Sequence, residues 1–423
     1  LDSTGSSGSV AISTGTLTSV TGTLDDGTGN DTIALTLATT GVNISSANTT
    51  DVDSIAFASG VSATMTIAQH ALITSAAGTN TVTLSNPGTV TGNAAVESYV
   101  LAAAGSSAFT LGDDTQSVTT GGSRTDTIVV GTRTLTGTFT TVSGDTVSLD
   151  TGANISGVNG EGVGAGSALN ADKLTLVSGA SVTMTAAQNN SFDSTVTAAG
   201  TETITLSDAS TASGIAEVEI YKLAAGAQSF TLGASGQNVT LDSTGSSGSV
   251  AISTGTLTSV TGTLDDGTGN DTIALTLATT GVNISSANTT DVDSIAFASG
   301  VSATMTIAQH ALITSAAGTN TVTLSNPGTV TGNAAVESYV LAAGSQSFTL
   351  GASGQNVTLD STGSSGSVAI STGTLTSVTG TLDVGTGNDT IALTLATTGV
   401  DISSANTTTE AVTLSDTTLA AAT

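Results

Sequence analysis

Short runs that alternate apolar and polar residues recur along the whole chain. In the best-preserved stretch they read SVAI, DTIALTL, DSIAF, NTVTL and QSFTL, and they begin at Ser249, Asp271, Asp293, Asn320 and Gln346. Clusters of Gly, Asn, Asp and Ser bound each run, and β-branched residues alternate within it, which is typical of β-strands. No stretch keeps the apolar period of about 3.6 residues that marks a helix. The pattern therefore predicts an all-β chain with very little helix.

A long internal repeat organises these runs. The segment Leu1–Ala103 recurs without a change at Leu241–Ala343, and a further copy starts at Leu359. A diverged copy lies between the first two, because VSATMTIAQ around Met65 matches ASVTMTAAQ around Met184. We therefore divide the chain into repeats of about 119 residues. They are repeat 1, residues 1–120; repeat 2, residues 121–240, diverged and with a Gly-rich loop at 156–166 that we expect to protrude; repeat 3, residues 241–358; and the partial repeat 4, residues 359–423.

Each full repeat divides again into runs spaced about 24 residues apart, and this is the sequence signature of a β-solenoid with one coil per run. At that spacing the chain would form about 18 coils. The alternative is an array of Ig-like β-sandwiches with one domain per repeat. We favour the solenoid, because the chain has no Trp for an Ig-like core and the sandwich leaves the shorter period unexplained.

Composition agrees with a narrow core and limits the partners. With 51 Gly, no Trp and 2% aromatic residues, the chain lacks the bulk to fill a thick core. Acidic residues number 32 against 4 basic ones, which gives a net charge of −28. Phosphate contacts need clustered Lys and Arg, so we exclude nucleic acid and anionic membrane surfaces as partners. The four basic residues are Arg124, Arg133, Lys173 and Lys222.

Location can also be inferred from the sequence. No apolar run is long enough to span a membrane as a helix, so we expect no membrane span. The chain begins with Leu1, shows no signal peptide and is interpreted as a mature product or a fragment. The absence of Cys excludes disulfides and fits a bacterial extracellular protein. We expect an extracellular or cell-surface location.

The sharpest short motif is DDGTGNDTI at Asp25–Ile33, repeated at Asp265–Ile273 and, as DVGTGNDTI, at Asp383–Ile391. Compared with the nonapeptide G-G-x-G-x-D-x-U-x, it matches at two Gly, the Asp and the final Ile, and Asp26 stands where the first Gly would be. The motif occurs once per repeat, so one copy offers half a site. The alternative interpretation is a tight turn, in which Gly supplies positive φ and Asn and Asp make local hydrogen bonds before a strand.

The motif resembles the RTX family of calcium-binding β-roll proteins. The Thr-, Ser-, Ala- and Gly-rich, Cys-free and acidic composition is similar, more broadly, to the surface-layer proteins and adhesins that bacteria export. The resemblance implies that Ca²⁺ lies between successive turns and is held by Asp carboxylates and backbone carbonyls, which suits a hard cation. The candidate metal ligands that follow are Asp26, Asp31, Asp266, Asp271 and Asp389.

The remaining candidate residues favour structural roles. His70 and His310 occupy one equivalent position, where we expect a corner or surface His rather than a catalytic one. Glu97 and Tyr99 lie in a run with one polar face, and Phe109 is expected in the core. The repeated Asp residues lie in turn contexts that should be exposed, which argues against paired acid and base catalysis. We assign no catalytic residue and no organic cofactor.

The sequence therefore predicts a structural, non-enzymatic extracellular repeat protein. It would build a surface layer, a matrix fibre or an adhesin stalk by assembling with copies of itself, with Ca²⁺ as the assisting ion and a cell-surface glycan as a further candidate partner. The alternatives are a β-helix carbohydrate-active enzyme with its site in repeat 2, where Lys and Arg and the loop at 156–166 occur together, and a ligand-binding adhesin whose site lies outside this chain.

Overall fold

A computed structural model shows a chain that is almost entirely β. It describes residues 8–28, 30–122, 125–192, 195–197, 199–224, 226–242, 248–268, 270–342, 344–359, 367–385, 390–397, 399–408 and 412–416. The chain divides into two compact units, residues Leu1–Asp208 and Ala209–Thr423.

In the first unit the strands are short and evenly distributed. They are β1 (Ser9–Ser13), β2 (Thr32–Leu37), β3 (Val42–Asn43), β4 (Ser54–Phe57), β5 (Ser62–Met65), β6 (Ile73–Ala76), β7 (Thr81–Leu84), β8 (Thr89–Thr91), β9 (Ser98–Val100), β10 (Ala108–Thr110), β11 (Ser117–Thr119), β12 (Thr127–Gly131), β13 (Thr138–Thr140), β14 (Thr146–Leu149), β15 (Asn159–Gly160), β16 (Lys173–Leu176), β17 (Ser181–Met184), β18 (Thr195–Thr197) and β19 (Thr203–Leu206).

The second unit continues the same pattern. Its strands are β20 (Thr211–Ser213), β21 (Ile220–Ala224), β22 (Ala227–Thr231), β23 (Asn238–Asp242), β24 (Ser249–Ser253), β25 (Leu264–Asp265), β26 (Thr272–Leu277), β27 (Val282–Asn283), β28 (Ser294–Phe297), β29 (Ser302–Met305), β30 (Ile313–Ala316), β31 (Thr321–Leu324), β32 (Thr329–Thr331), β33 (Ser338–Leu341), β34 (Ser345–Thr349), β35 (Asn356–Leu359), β36 (Ser367–Ser371), β37 (Thr381–Asp383), β38 (Thr390–Leu395), β39 (Asn406–Thr408) and β40 (Val412–Asp416). Single helical turns lie at α1 (Ile67–His70), α2 (Ala186–Asn189) and α3 (Ile307–His310).

Every strand ladder described is parallel. Apart from β1, which pairs with β2, the paired strands of these ladders lie two places apart along the chain. In the first unit one ladder runs from β8 through the even-numbered strands to β18, and another runs from β3 through the odd-numbered strands to β15. Two strands of one coil therefore enter two different sheets, and the next coil stacks on both. This architecture is a β-solenoid of about 18 turns, which confirms the predicted fold.

The core is a narrow stack of inward-facing side chains. Along one ladder Val82, Tyr99, Val118 and Phe139 occupy successive coils in register. All four side chains are at most 1% exposed. Because strand residues alternate between faces, each buried residue is followed by an outward-facing one, such as the Thr residues of β7. Phe109 is fully buried, as the sequence predicted.

A polar residue directly before many strands joins neighbouring coils. The Oδ1 atom of Asn80 accepts the backbone N–H of Val61 from the preceding coil at 3.0 Å, and a carboxylate oxygen of Glu97 accepts the N–H of Asn80 at 2.7 Å. Asp145 accepts the N–H of Asp126 in the same way at 2.8 Å. These side-chain oxygens accept hydrogen bonds from backbone N–H groups at the ends of the strands. A buried N–H group without such a partner would carry a desolvation cost.

Candidate functional site

An acidic cluster is formed by Asp265, Asp266 and Asp291, and its twin is formed by Asp25, Asp26 and Asp51. In each cluster the three carboxylates offer one oxygen apiece, and these oxygens all lie within 4.8 Å of one another. All three residues of the first-named cluster are half-buried, and Asp25 of the twin is exposed. Two adjacent residues of one coil thus meet a third residue from the next coil.

The register between the two coils brings these residues together. An isolated parallel bridge pairs Thr263 with Asn288, and Leu264 N–H donates to the carbonyl of Asn288 at 3.1 Å. Three residues further along each coil lie Asp266 and Asp291, so the same register places them opposite each other. Thr23 and Asn48 form the equivalent bridge in repeat 1.

Asp271, one of the ligands implied by the resemblance, directly precedes the strand β26 that follows the Gly-rich turn. It is 4% exposed, against the sequence expectation that Asp residues of these turns are exposed. Its Oδ1 atom accepts the backbone N–H of Gly248 from the preceding coil. Asp31 is 5% exposed and accepts the N–H of Gly8 in the same way. The Asp of the motif is therefore also one of the corner residues that join coils.

A fifth carboxylate, that of Asp293, lies near the same place. Its Oδ2 atom accepts the N–H of Ile273 at 2.8 Å. Partial burial, followed by the charges of Asp291, Asp293, Asp265 and Asp271, raises the pKa of Asp266. Residues 241–343 contain no Lys or Arg, so no basic side chain of repeat 3 offsets these charges.

The structure brings together some of the predicted ligands and adds others. Asp26 and Asp266 lie within the clusters, whereas Asp389 lies outside the described residues. Sequence analysis did not place Asp51 and Asp291, the carboxylates of the next coil, beside this motif. The available signal was the repeated Asp-Val-Asp pair that follows each complete motif by one coil length.

The histidines are held inside the fold. The Nε2 atom of His310 lies 2.9 Å from the Tyr339 hydroxyl, which accepts the N–H of Asn333 at 2.6 Å. The Tyr339 hydroxyl therefore joins the His310 ring to the backbone of Asn333. His310 is 5% exposed and His70, with the same contact to Tyr99, is 6% exposed, so neither is a surface residue. Both end a helical turn that connects strands of two different sheets, which is a corner of the coil. Burial lowers the pKa of His310 to about 4.

The Gly-rich loop of repeat 2 is a small hairpin. An antiparallel bridge pairs Asn159 with Ala165, and Val163 at its tip is 80% exposed. In the neighbouring coils Arg133 forms an ion pair with Asp114 at 3.1 Å. Within the described residues the acidic clusters of at least three carboxylates lie in repeats 1 and 3, and repeat 2 contributes none.

No protein-family model matches this chain, and comparison with curated proteins and with solved structures also finds no match. Within the part of the chain that the structure describes, no helix has the length and apolar character needed to cross a membrane. The class of protein is therefore defined by the fold and the repeat, and the chain is a β-solenoid repeat protein.

Proposed function

We propose that this chain is a structural scaffold that works outside the cell, as part of a bacterial surface layer, a matrix fibre or an adhesin stalk. The observation that carries the proposal is the reuse of one identical sequence for one identical set of coils. Ala34 pairs with Ser54 in repeat 1 as Ala274 pairs with Ser294 in repeat 3. A duplicated scaffold needs only coils that stack on their neighbours, whereas an active site needs a constellation that occurs once.

Side chains that could perform chemistry are used to hold the coils together. The ring of His310 is hydrogen-bonded to the hydroxyl of Tyr339. Backbone N–H groups of preceding coils donate to the carboxylates of Glu97, Asp145 and Asp293. These contacts support a scaffold over the carbohydrate-active enzyme that the sequence left open as an alternative.

The proposal includes assembly of the chain with copies of itself and the participation of Ca²⁺. A net charge of −28 on one chain opposes close packing of copies, and a divalent cation would reduce that repulsion. A cell-surface glycan is the further partner that a stalk of this kind would bind.

Multi-angle light scattering and electron microscopy of the purified chain, with and without millimolar Ca²⁺, test the proposal. We expect filaments, sheets or discrete oligomers in Ca²⁺. Magnesium at the same concentration controls for general charge screening. A chain that stays monomeric under all these conditions would contradict self-assembly.

A further inference from the structure

We propose that each acidic cluster is a divalent-cation site that links two successive coils. Its carboxylates are those of Asp265, Asp266 and Asp291 in repeat 3, and those of Asp25, Asp26 and Asp51 in repeat 1. The inference rests on the proposed use of cations by the scaffold, but it does not depend on self-assembly. It keeps Asp26 and Asp266 from the ligands that the resemblance implies and adds Asp51 and Asp291 from the next coil. Asp31 and Asp271 are not among its ligands, and their Oδ1 atoms accept backbone N–H groups.

The buried carboxylate of Asp271 is the independent observation that points to a ligand. Within the described residues its Oδ2 atom is buried and has no hydrogen-bond partner. A buried carboxylate oxygen without a partner is costly, and native structures rarely leave one so. The register that pairs Ala274 with Ser294, extended by three residues, places Asp271 opposite Asp291, which is a member of the cluster.

The charge of the cluster gives the second reason. The three carboxylates of the cluster lie within 4.8 Å of one another, Asp271 and Asp293 directly precede the adjacent paired strands β26 and β28, and residues 241–358 contain no Lys or Arg. Like charges at such separations disfavour the folded coil pair unless an ion neutralises them. A bound divalent cation supplies that neutralisation from a single point.

The donor atoms give the chemical class of the ion. Carboxylate oxygens are ligands of hard divalent cations such as Ca²⁺ and Mg²⁺. The three oxygens of each cluster lie within 4.8 Å of one another, so one such cation can contact all three. Ca²⁺ is the probe of choice, because it accepts more ligands and a less regular geometry than Mg²⁺ does.

The site also lies where the strand ladder is interrupted. One sheet of the second unit ends at β25 (Leu264–Asp265), and the next begins at β27 (Val282–Asn283). Across this gap the isolated bridges Ser259 to Asn283 and Thr263 to Asn288 join the coils. A cation held by Asp266 and Asp291 would add a link between coils where the ladder supplies few.

Repeat 4 departs from the cluster of repeats 1 and 3. At the position of Asp26 it carries Val384, although it keeps Asp383 at the position of Asp25. Val384 is 7% exposed, so an apolar side chain is accommodated at this position. The acidic residue nearest to the position of Asp51 in this repeat is Glu410. Repeat 4 therefore lacks the adjacent Asp pair of the cluster, and we infer one cation for each of repeats 1 and 3.

Isothermal titration calorimetry of the metal-free chain with CaCl₂ tests the stoichiometry. We expect two ions per wild-type chain, one for Asp291→Asn, and none for the double variant Asp51→Asn, Asp291→Asn. Asp383→Asn is the matched control, because it removes a carboxylate from the repeat in which Val384 replaces one Asp of the adjacent pair, and it should still bind two ions. Absence of binding to the wild type, or two ions bound by the double variant, would overturn the proposal.

Thermal unfolding separates loss of the ion from damage to the fold. In EDTA, Asp291→Asn removes one of several repelling charges, so its Tm should equal or exceed that of the wild type. In millimolar CaCl₂ the order should reverse, because only the wild type gains a ligand in repeat 3. A variant that is less stable than the wild type by the same margin in both buffers would overturn the proposal. Light scattering on the same samples reports self-assembly separately, so one idea can fail without the other.

Discussion

Gln309 shows how a polar side chain is used inside this narrow core. Its Nε2 group donates to the carbonyls of Ile284 at 2.8 Å and Ala287 at 3.2 Å, and its Oε1 atom accepts the N–H of Thr306 at 2.9 Å. It is 3% exposed and ties a helical turn to the preceding coil. The role was not predictable from hydrophobic pattern, because a buried Gln interrupts that pattern. Its signal was recurrence, since TIAQ in repeats 1 and 3 becomes TAAQ in repeat 2.

Replacing this amide with a hydrocarbon of similar size should destabilise the chain. Gln309→Leu removes the side-chain partner of the Ala287 carbonyl and of the Thr306 N–H, whereas the carbonyl of Ile284 keeps the N–H of Ala287 at 2.9 Å. We expect a loss of about 2–4 kcal/mol in the free energy of unfolding. Urea denaturation measures the loss. Asn283→Asp is the control and should change stability by less than about 0.5 kcal/mol. Repeat 4 already has Asp401 at that position, where it accepts the N–H of Ser403 at 2.9 Å. An unchanged stability of Gln309→Leu would contradict this role.

The buried histidines predict a loss of stability in mild acid. The pKa of His310 is lowered by burial from 6.5 to about 4, so below pH 6.5 the unfolded chain binds a proton that the folded chain does not. Stability should therefore fall as the pH drops from about 6.5 to about 4, with a loss of about 2 kcal/mol at pH 5 from this residue. Urea denaturation at pH 7 and pH 5 measures it.

Repeat 2 supplies the matched variant for this prediction, because α2 ends at Asn189 where α1 and α3 end at a His. His70→Asn with His310→Asn should lose less stability between pH 7 and pH 5 than the wild type does. An equal loss in both chains would assign the acid sensitivity to the carboxylates instead.

At the scale of elements, the ladders of the two sheets break at different coils. In the second unit one sheet ends at β30, where β29, β31 and β33 continue the other sheet without a break. Conversely, the sheet interrupted between β25 and β27 is accompanied by continuous pairing of β24, β26 and β28. Each break is thus spanned by an intact ladder. Sequence analysis gave the strands but not these breaks, because they depend on coil register, which the alternation of residues does not encode.

Close backbone approach between coils makes specific glycines irreplaceable. A Cβ at Gly262 would lie 1.8 Å from the carbonyl oxygen of Gln237, whereas a Cβ at Gly22, in the same sequence context, meets nothing within 4 Å. Gly262→Ala should therefore cost roughly 2 kcal/mol or more, because backbone must move to admit the methyl group. Gly22→Ala should be near neutral. Thermal unfolding of the two variants provides the comparison, and equal effects would show that the coil adapts.

At the scale of the whole molecule, the fold was predictable and the candidate site only in part. The repeat and the alternation within runs are local properties, so they predicted a solenoid of about 18 coils correctly. Asp26 could be found from its motif for the same reason. Its partner Asp51 belongs to the next coil, and only the register between Thr23 and Asn48 brings the two together. Long-range pairing of this kind is absent from a local pattern.

Unfolding of the whole chain should not be a single two-state transition. Cross-coil hydrogen bonds join residues separated by short distances along the chain, from 17 residues for Asn80 and Glu97 to 33 for Ile155 and Gln188. Each coil therefore depends on its neighbours, and stability is approximately a sum of coil and interface terms. Across 423 residues we expect scanning calorimetry to give a calorimetric enthalpy larger than the van't Hoff enthalpy. A ratio of one, with coincident transitions by circular dichroism and calorimetry, would instead require coupling that extends well beyond neighbouring coils.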